Sequence, residues 1–290
     1  MPELPEVEGV VRELSPASSG RTVAKVTVSE VVKASKELGK EAIVKGITLE
    51  DFIAEMAGAT IMDVTRRSKY IYFHLVKEGE AHLLVSHLGM TGAWFVVDTL
   101  DDVTEKKFRN HMHVIFEMAD GGLLVYSDIR RFGELRLLRQ EGDYPPLLKM
   151  APEPFEEDAI EHFIAMASTP KFARKPIKEV IMDGHVISGC GNIYATEALF
   201  KMKIHPNRTT DRVSEKRKRE LFKVIVDILQ ESIHAGGSSI SDYRNINGQA
   251  GTMQDRLKMY GKKVCTVCGK ETKSLKIAGR TSVYCPSCQR

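Results

Sequence analysis

Apolar positions recur at helical spacing from the start of the chain. Val7, Val10, Val11 and Leu14 fall on one stripe, and Pro5 falls in the first turn, where its missing N–H costs nothing. The period then changes to two. Val26 and Val28 alternate, as do Ile71, Phe73 and Leu75, and residues 83–85 and 94–97 form further short apolar runs. Residues 114–116 and 123–126 flank Asp120-Gly121-Gly122, a hairpin turn signal. Strands that succeed one another without regular intervening helices predict an antiparallel sandwich or barrel, with residues 49–56 as one short helix inside it. Pro145, Pro146, Pro152 and Pro154 mark a linker over 141–154. Beyond it the period returns to that of a helix. Ile160, Phe163, Ile164 and Ala167 make one stripe. A long helix is predicted from an N-cap at Ser214 through Leu221, Val224, Ile225, Ile228 and Leu229, stopping at Gly236-Gly237. Between them Gly189-Cys190-Gly191-Asn192 forms a tight turn opening into another helix, 194–202. The expected architecture is α+β: an N-terminal antiparallel β-sandwich with flanking helices (1–140), the linker, a helical unit (155–257) and a C-terminal hairpin (258–290).

A chain of 290 residues is long enough for two domains with their own cores. No run of eighteen apolar residues occurs and no charged-then-apolar leader precedes the first helix, so the expectation is a soluble, cytoplasmic protein. The net charge of +3 is small, so any nucleic-acid surface must arise from placing basic residues on one side. Of five cysteines, Cys190 stands alone and four lie in the last 26 residues as Cys265-x-x-Cys268 and Cys285-x-x-Cys288, with 16 residues between the pairs. Two such knuckles predict one structural Zn²⁺ held by four thiolates, with no open position for a substrate.

Other stretches carry chemistry less specifically. Removal of Met1 would leave Pro2 as a terminal secondary amine, a good nucleophile toward an aldehyde-like carbon, with Glu3 and Glu6 near the positive end of the first helix. Alone, this segment reads more readily as an ordinary helix start. Arg66-Arg67-Ser68-Lys69 places basic residues at the entrance to a strand. His87-Leu88-Gly89-Met90-Thr91-Gly92 and Asp128-Ile129-Arg130-Arg131-Phe132-Gly133 each set a wedge-like or cationic side chain beside glycine. If both faced DNA they would suit the gap left by an extruded base. The turn at Gly189–Asn192 and the nearby Arg174, Lys175 and Lys178 suit phosphate, as do Lys273, Lys276 and Arg280 in the cysteine hairpin.

Taken in order, PELPEVE, RRSKY, HLGMTG, DIRRFG, PIKEVIMD, GCGNIYATEALF, GGSSISDY and the closing CxxC…YCPSCQ resemble the bacterial formamidopyrimidine-DNA glycosylases of the Fpg/Nei family from one end of the chain to the other. The resemblance implies a β-sandwich domain and a helix-two-turn-helix domain with a zinc finger, acting as a monomer on double-stranded DNA that carries oxidised bases or abasic sites. It implies excision of oxidised purines, chiefly 8-oxoguanine and formamidopyrimidines, and strand cleavage by β,δ-elimination. Pro2 would be the nucleophile, Glu3 the acid that protonates the opening sugar, Glu6 a supporting carboxylate and Lys69 a cation aiding base release. Lys178, Asn192 and Arg280 match phosphate-binding positions, His111 and Arg174 resemble further DNA contacts, and Met90, Arg130 and Phe132 match the trio that fills the vacated base position. The chain departs from the family pattern at Ile129, Ala151 and Cys190 and in the loop around Gln249–Met253, where aromatic character is usual in a segment that meets the extruded base. An endonuclease VIII-type enzyme for oxidised pyrimidines, and a paralogue that binds damaged DNA without cutting it, are the alternatives. PELPE and the Arg130-Arg131-Phe132 loop weigh against the first, and the retained Pro2, Glu3, Glu6 and Lys69 against the second.

Overall fold

A computed structural model describes residues 2–238 and 251–290. The chain divides into two compact units, one comprising Met1–Leu148 with Gly236–Gly251 and the other Lys149–Ala235 with Thr252–Arg290. The placement of Gly236–Ser238 and Gly251 in the first unit has no counterpart in the linear pattern, which ran the helical part unbroken from 155 to 257.

In the first unit, helix α1 (Leu4–Ser18) leads into β1 (Val23–Val28), α2 (Glu30–Glu37), β2 (Ile43–Val44) and α3 (Leu49–Met56). The strands β3 (Thr60–Arg67), β4 (Tyr70–Lys77), β5 (Glu80–His87) and β6 (Gly92–Val97) follow. Then come the short α4 (Lys106–Arg109), β7 (Met112–Met118), β8 (Leu123–Asp128), β9 (Glu134–Leu138) and α5 (Pro145–Leu148). One sheet runs β1-β7-β8-β6 and the other β2-β9-β5-β4-β3. Every pairing is antiparallel except the two-residue β2–β9 ladder. Val26, Val28, Ile71, Phe73, Leu75, Val114 and Phe116 all face one core, where the Trp94 ring packs against Phe73, Phe116 and Tyr126. The predicted sandwich, α3 and the turn between β7 and β8 are therefore present.

The α1 stripe is buried as its spacing predicts, with Val7 and Leu14 at 0% exposure. Each such side chain contributes roughly 1.5–3 kcal/mol, enough to hold a terminus that would otherwise fray. An ion pair fixes the helix laterally. Arg66 Nε donates to Glu8 Oε2 at 2.8 Å, its Nη1 donates to the Ser68 carbonyl, and Arg12 holds the other Glu8 oxygen. Burial alone would raise the Glu8 pKa, but the hydrogen bonds and charges of Arg66 and Arg12 outweigh it and hold the carboxyl below its ordinary 4.5. A depressed folded-state pKa means that the pair stabilises above the unfolded pKa and fades as pH falls through the folded one. Glu8→Gln should therefore lower the urea midpoint clearly at pH 7 and much less near pH 3 (below about 4.3, where an unfolded Glu is mostly protonated). Equal losses at the two pH values would contradict the ion-pair account.

The second unit contains α6 (Ala159–Ala167), α7 (Pro170–Ala173), α8 (Ile177–Met182), α9 (Asn192–Lys201), α10 (Glu215–His234), and the ribbon strands β10 (Lys273–Ile277) and β11 (Arg280–Tyr284). Ser214 caps α10 by accepting from Arg217 N–H, and Gly236 and Gly237 beyond its end both have positive φ, as the sequence predicts. The phenylalanines of the α6 and α10 stripes stack, Phe163 on Phe222, at 5.7 Å. The departures at Ala151 and Cys190 fill small buried positions, each 1% exposed, and Ile129 packs beside a second, smaller apolar cluster around Phe95 and Phe108. Among the described residues no helix is long and apolar enough to cross a membrane.

Candidate active site and nucleic-acid interface

The start of α1 carries a buried polar cluster. Pro2 is buried just before the helix, and Glu3 and Glu6 are 2% and 1% exposed. Glu6 uses its two oxygens on different segments. Oε2 accepts from the Glu3 N–H at 2.7 Å, and Oε1 accepts from the Ser238 N–H, also at 2.7 Å, from a residue 232 positions away. Gly237 makes that approach possible: a Cβ there would lie 3.1 Å from Glu6 Cγ, and its φ is +81°. Gly251 packs on the Gly236 and Gly237 carbonyls with no room for a side chain. Glu6 thus clamps the helix start to the segment that follows α10. Of the loop that departs from the family pattern, Gln249 and Ala250 lie outside the described residues, as does Met1.

Lys69 occupies the second position of the two-residue turn joining β3 to β4, beside Ser68 at φ +56° and closed by the Arg67–Tyr70 pair. The Arg66–Ser68 hydrogen bond stiffens that turn. At the far end of β5, His87 Nδ1 accepts from the Gly89 N–H at 3.1 Å, and burial pushes this imidazole down to about 4. A neutral His87 therefore shapes the turn that presents the half-buried Met90. The motif around His87 was visible in the sequence, but nothing local marked the ring itself as the support.

Asp128 organises the other probing loop. Its carboxylate, fully buried, accepts from the Thr91 hydroxyl at 2.6 Å, the Arg130 N–H at 3.1 Å and the Gly133 N–H at 2.8 Å. Between those anchors Arg131 takes φ +56°, Arg130 is exposed, and Phe132 stands 55% exposed with the Arg130 guanidinium 4.7 Å over its ring. The backbones of the two loops touch, since a Cβ on Gly89 would meet Gly133 N and Phe132 C at 2.5 Å. The structure therefore brings Met90, Arg130 and Phe132 together. An exposed aromatic ring braced by a cation is poorly placed for a core and well placed for stacking on bases. His111 lies nearby, its Nδ1–H donating to the Lys107 carbonyl at 2.6 Å.

In the second unit, Asn192 begins α9 after Gly191, and its Nδ2 donates to the Thr281 carbonyl at 3.1 Å, beside the exposed Arg280 on β11. Asn192 Oδ1 is buried without a hydrogen-bond partner. Lys178 on α8 is 1% exposed and donates to Thr196 Oγ1 at 2.8 Å. These three residues gather at one helix start, where N–H groups and dipole favour an anion. Arg174 is exposed at the end of α7.

The four thiolates close a metal site. All Sγ atoms lie within 4.8 Å of one another, with Cys265–Cys288 at 3.9 Å and Cys268–Cys285 at 3.5 Å. Tetrahedral Zn–S bonds of about 2.3 Å require S···S separations near 3.8 Å, so the geometry fits one structural zinc. Two supports were not evident from the sequence. Glu197, 6% exposed on α9, accepts the backbone N–H groups of Lys258, Met259 and Tyr260 at 2.7–2.9 Å where the chain enters the ribbon. Gln289 bridges the Cys285 N–H and the Ile204 carbonyl.

Comparison with known proteins agrees with this arrangement. Residues 1–135 match the formamidopyrimidine-DNA glycosylase N-terminal domain, 150–244 its H2TH domain, and 262–290 the zinc finger found in FPG and IleRS. The formamidopyrimidine-DNA glycosylase of an Exiguobacterium species is 36% identical over 298 aligned positions that cover all of both chains. Two solved Lactococcus lactis structures, one a variant with DNA containing Fapy-dG and one with DNA containing an abasic site, align over 100% of both chains. Their TM-scores are 0.83 and 0.82, at 34% and 33% identity.

Proposed function

From the premise that the chain belongs to the formamidopyrimidine-DNA glycosylase family, we propose that it is a bifunctional glycosylase and abasic-site lyase for oxidised purines in double-stranded DNA. The observation that supports this reading is the buried polar cluster at the start of α1, which sets two carboxylates within the first turn beside Pro2. Once Met1 is removed, the Pro2 amine attacks C1′ of the extruded nucleotide, the bond to the base breaks and the base departs. As the sugar ring opens, its ring oxygen takes a proton, and the C1′–N bond becomes an iminium. Loss of a C2′ proton then expels the 3′ phosphate, a second elimination expels the 5′ phosphate, and water releases the sugar fragment from Pro2.

Both Glu6 oxygens hold backbone N–H groups, which suits positioning, and the family resemblance assigns the proton to the sugar to Glu3. Lys69 in its stiffened turn supplies positive charge to the departing base and the adjacent phosphate. Lys178, Asn192 and Arg280 hold backbone phosphate, with Arg174 and His111 as further contacts, and Met90, Arg130 and Phe132 enter the stack to replace the flipped base. The zinc, with four thiolates and no open position, shapes the ribbon and takes no part in the chemistry.

Single-turnover base release from matched duplexes tests the substrate class. Duplexes carrying 8-oxoguanine or a formamidopyrimidine opposite cytosine should react faster than one carrying an oxidised pyrimidine, by about 10-fold or more, a difference of roughly 1.4 kcal/mol in the barrier. Faster release of the pyrimidine would overturn the purine assignment and leave the lyase assignment standing.

A further inference from the structure

The turn between α9 and α10 forms a second basic site, distinct from Lys178, Asn192 and Arg280. His205, Asn207, Arg208, Thr209, Arg212 and Arg290 line a recess of about 420 Å³. Three arginines therefore line one concavity, and no Asp or Glu is among the residues that line it. Asp211, in the same turn, is engaged by its own loop. The Thr209 side chain and the Arg212 N–H hold it below the usual carboxylate range, helped by the charges of Arg212 and Arg174. His205 is held in place by its ring contact with Tyr284 at 4.5 Å, and its Nδ1 accepts from the Asn207 N–H. Burial and then the charge of Arg208 lower the imidazole's affinity for a proton.

The wall of this recess is fixed. The main-chain oxygen of Arg290 accepts from the His205 N–H, and the Arg290 N–H donates to the Lys203 carbonyl. Arg208 and Pro206 carbonyls accept from the Ile177 and Lys178 N–H groups at 2.8 and 3.3 Å. The recess is therefore braced against the first turn of α8, the helix that carries Lys178. Guanidiniums on a rigid backbone suit an anion whose oxygens they can grip in pairs, and phosphate has that geometry.

We propose that the recess is an accessory phosphate subsite that takes a backbone phosphate of bound duplex DNA outside the contacts made by Lys178, Asn192 and Arg280. This assignment rests on the DNA reading above and on no property of the lesion, so it predicts a contribution that is equal for damaged and undamaged duplex.

The test compares the intact zinc-loaded protein with Arg208→Gln/Arg212→Gln, using variants whose zinc content and melting curve match the parent. For both lesion-free and abasic duplexes, the slope of log K against log salt should shrink by about 1, the contribution of one phosphate. Arg208→Lys/Arg212→Lys, which keeps the charge, should restore most of it. Calorimetric titration with inorganic pyrophosphate separates the sources of the anion. Loss of pyrophosphate binding in the glutamine variant with an unchanged DNA slope would mean that a free oligophosphate occupies the site, contradicting the duplex as its source. An unchanged slope together with unchanged pyrophosphate binding would overturn the subsite altogether. Failure of the parent protein to form an adduct on abasic DNA, with the slope change intact, would sink the lyase reading and leave the subsite in place.

Discussion

Protein that retains Met1 should fail to form a borohydride-trapped adduct with abasic-site DNA, while its affinity for the same duplex stays close to that of the processed form. Acylation of the Pro2 nitrogen turns an amine into an amide, which cannot add to C1′ to give an iminium. Removing a nucleophile costs roughly 10⁴-fold or more in single-turnover rate, so the loss should exceed that of any supporting residue. Glu3→Gln offers a graded comparison. It keeps the side chain's shape and removes the proton donor, an effect expected at about 10²–10⁴-fold on base release. Adduct formation on a ready-made abasic site should suffer less, because the base has already gone. Normal trapping by the Met1 form would remove Pro2 from the chemistry whatever else the cluster does.

Loss of the zinc should be nearly as severe, through binding. The ribbon's own apolar cluster consists of Phe200, Met259, Cys265 and Cys285, with Val283 and Cys288 partly buried against it. Three of those six residues are metal ligands, so little remains to fold the hairpin once they are released. Structural zinc supplies about 10–16 kcal/mol in small fingers, far more than such a cluster can replace. Chelation, or Cys268→Ser, should release one zinc per chain, disorder β10–β11 and with it Arg280 and the Thr281 carbonyl that meets Asn192, and sharply weaken DNA binding. The β-sandwich, with its own core, should keep its melting transition. Unchanged DNA affinity in the zinc-free protein would contradict a ribbon that contacts DNA.

Those two expectations rest on features that the sequence displays locally. The stripe Val7–Val10–Val11–Leu14, the alternation in 71–75 and the cysteine spacing each report a neighbourhood within a few residues, and the structure reproduces all three. The family resemblance supplied the remaining roles. Less legible was what joins distant segments. The Glu6–Ser238 hydrogen bond spans 232 residues, and neither periodicity nor propensity at either end announces it. Gly236-Gly237 could be read as a helix stop, but the demand for glycine at 237 comes from the Glu6 side chain packed against it. Asp128 began a recognisable motif, yet its hold on Thr91, Arg130 and Gly133 appears only when the two loops are side by side. Phe132 and Met90, taken alone, resemble core residues. The exposure of Phe132 follows from a backbone that the buried Asp128 carboxylate forces outward. Glu197, in the middle of α9, reads as an ordinary helix former until the chain returns 61 residues later to place the first of three N–H groups on it.

Peptide mapping of the trapped complex locates the covalent bond that Pro2 is expected to form with the sugar. Processed protein is reduced with borohydride on abasic-site DNA, digested, and the peptide bearing the sugar remnant sequenced by mass spectrometry. The remnant should lie on the nitrogen of the peptide beginning Pro2-Glu3-Leu4, with Lys69 and Lys178 unmodified. A remnant on either lysine, with the N-terminal peptide recovered intact, would contradict it.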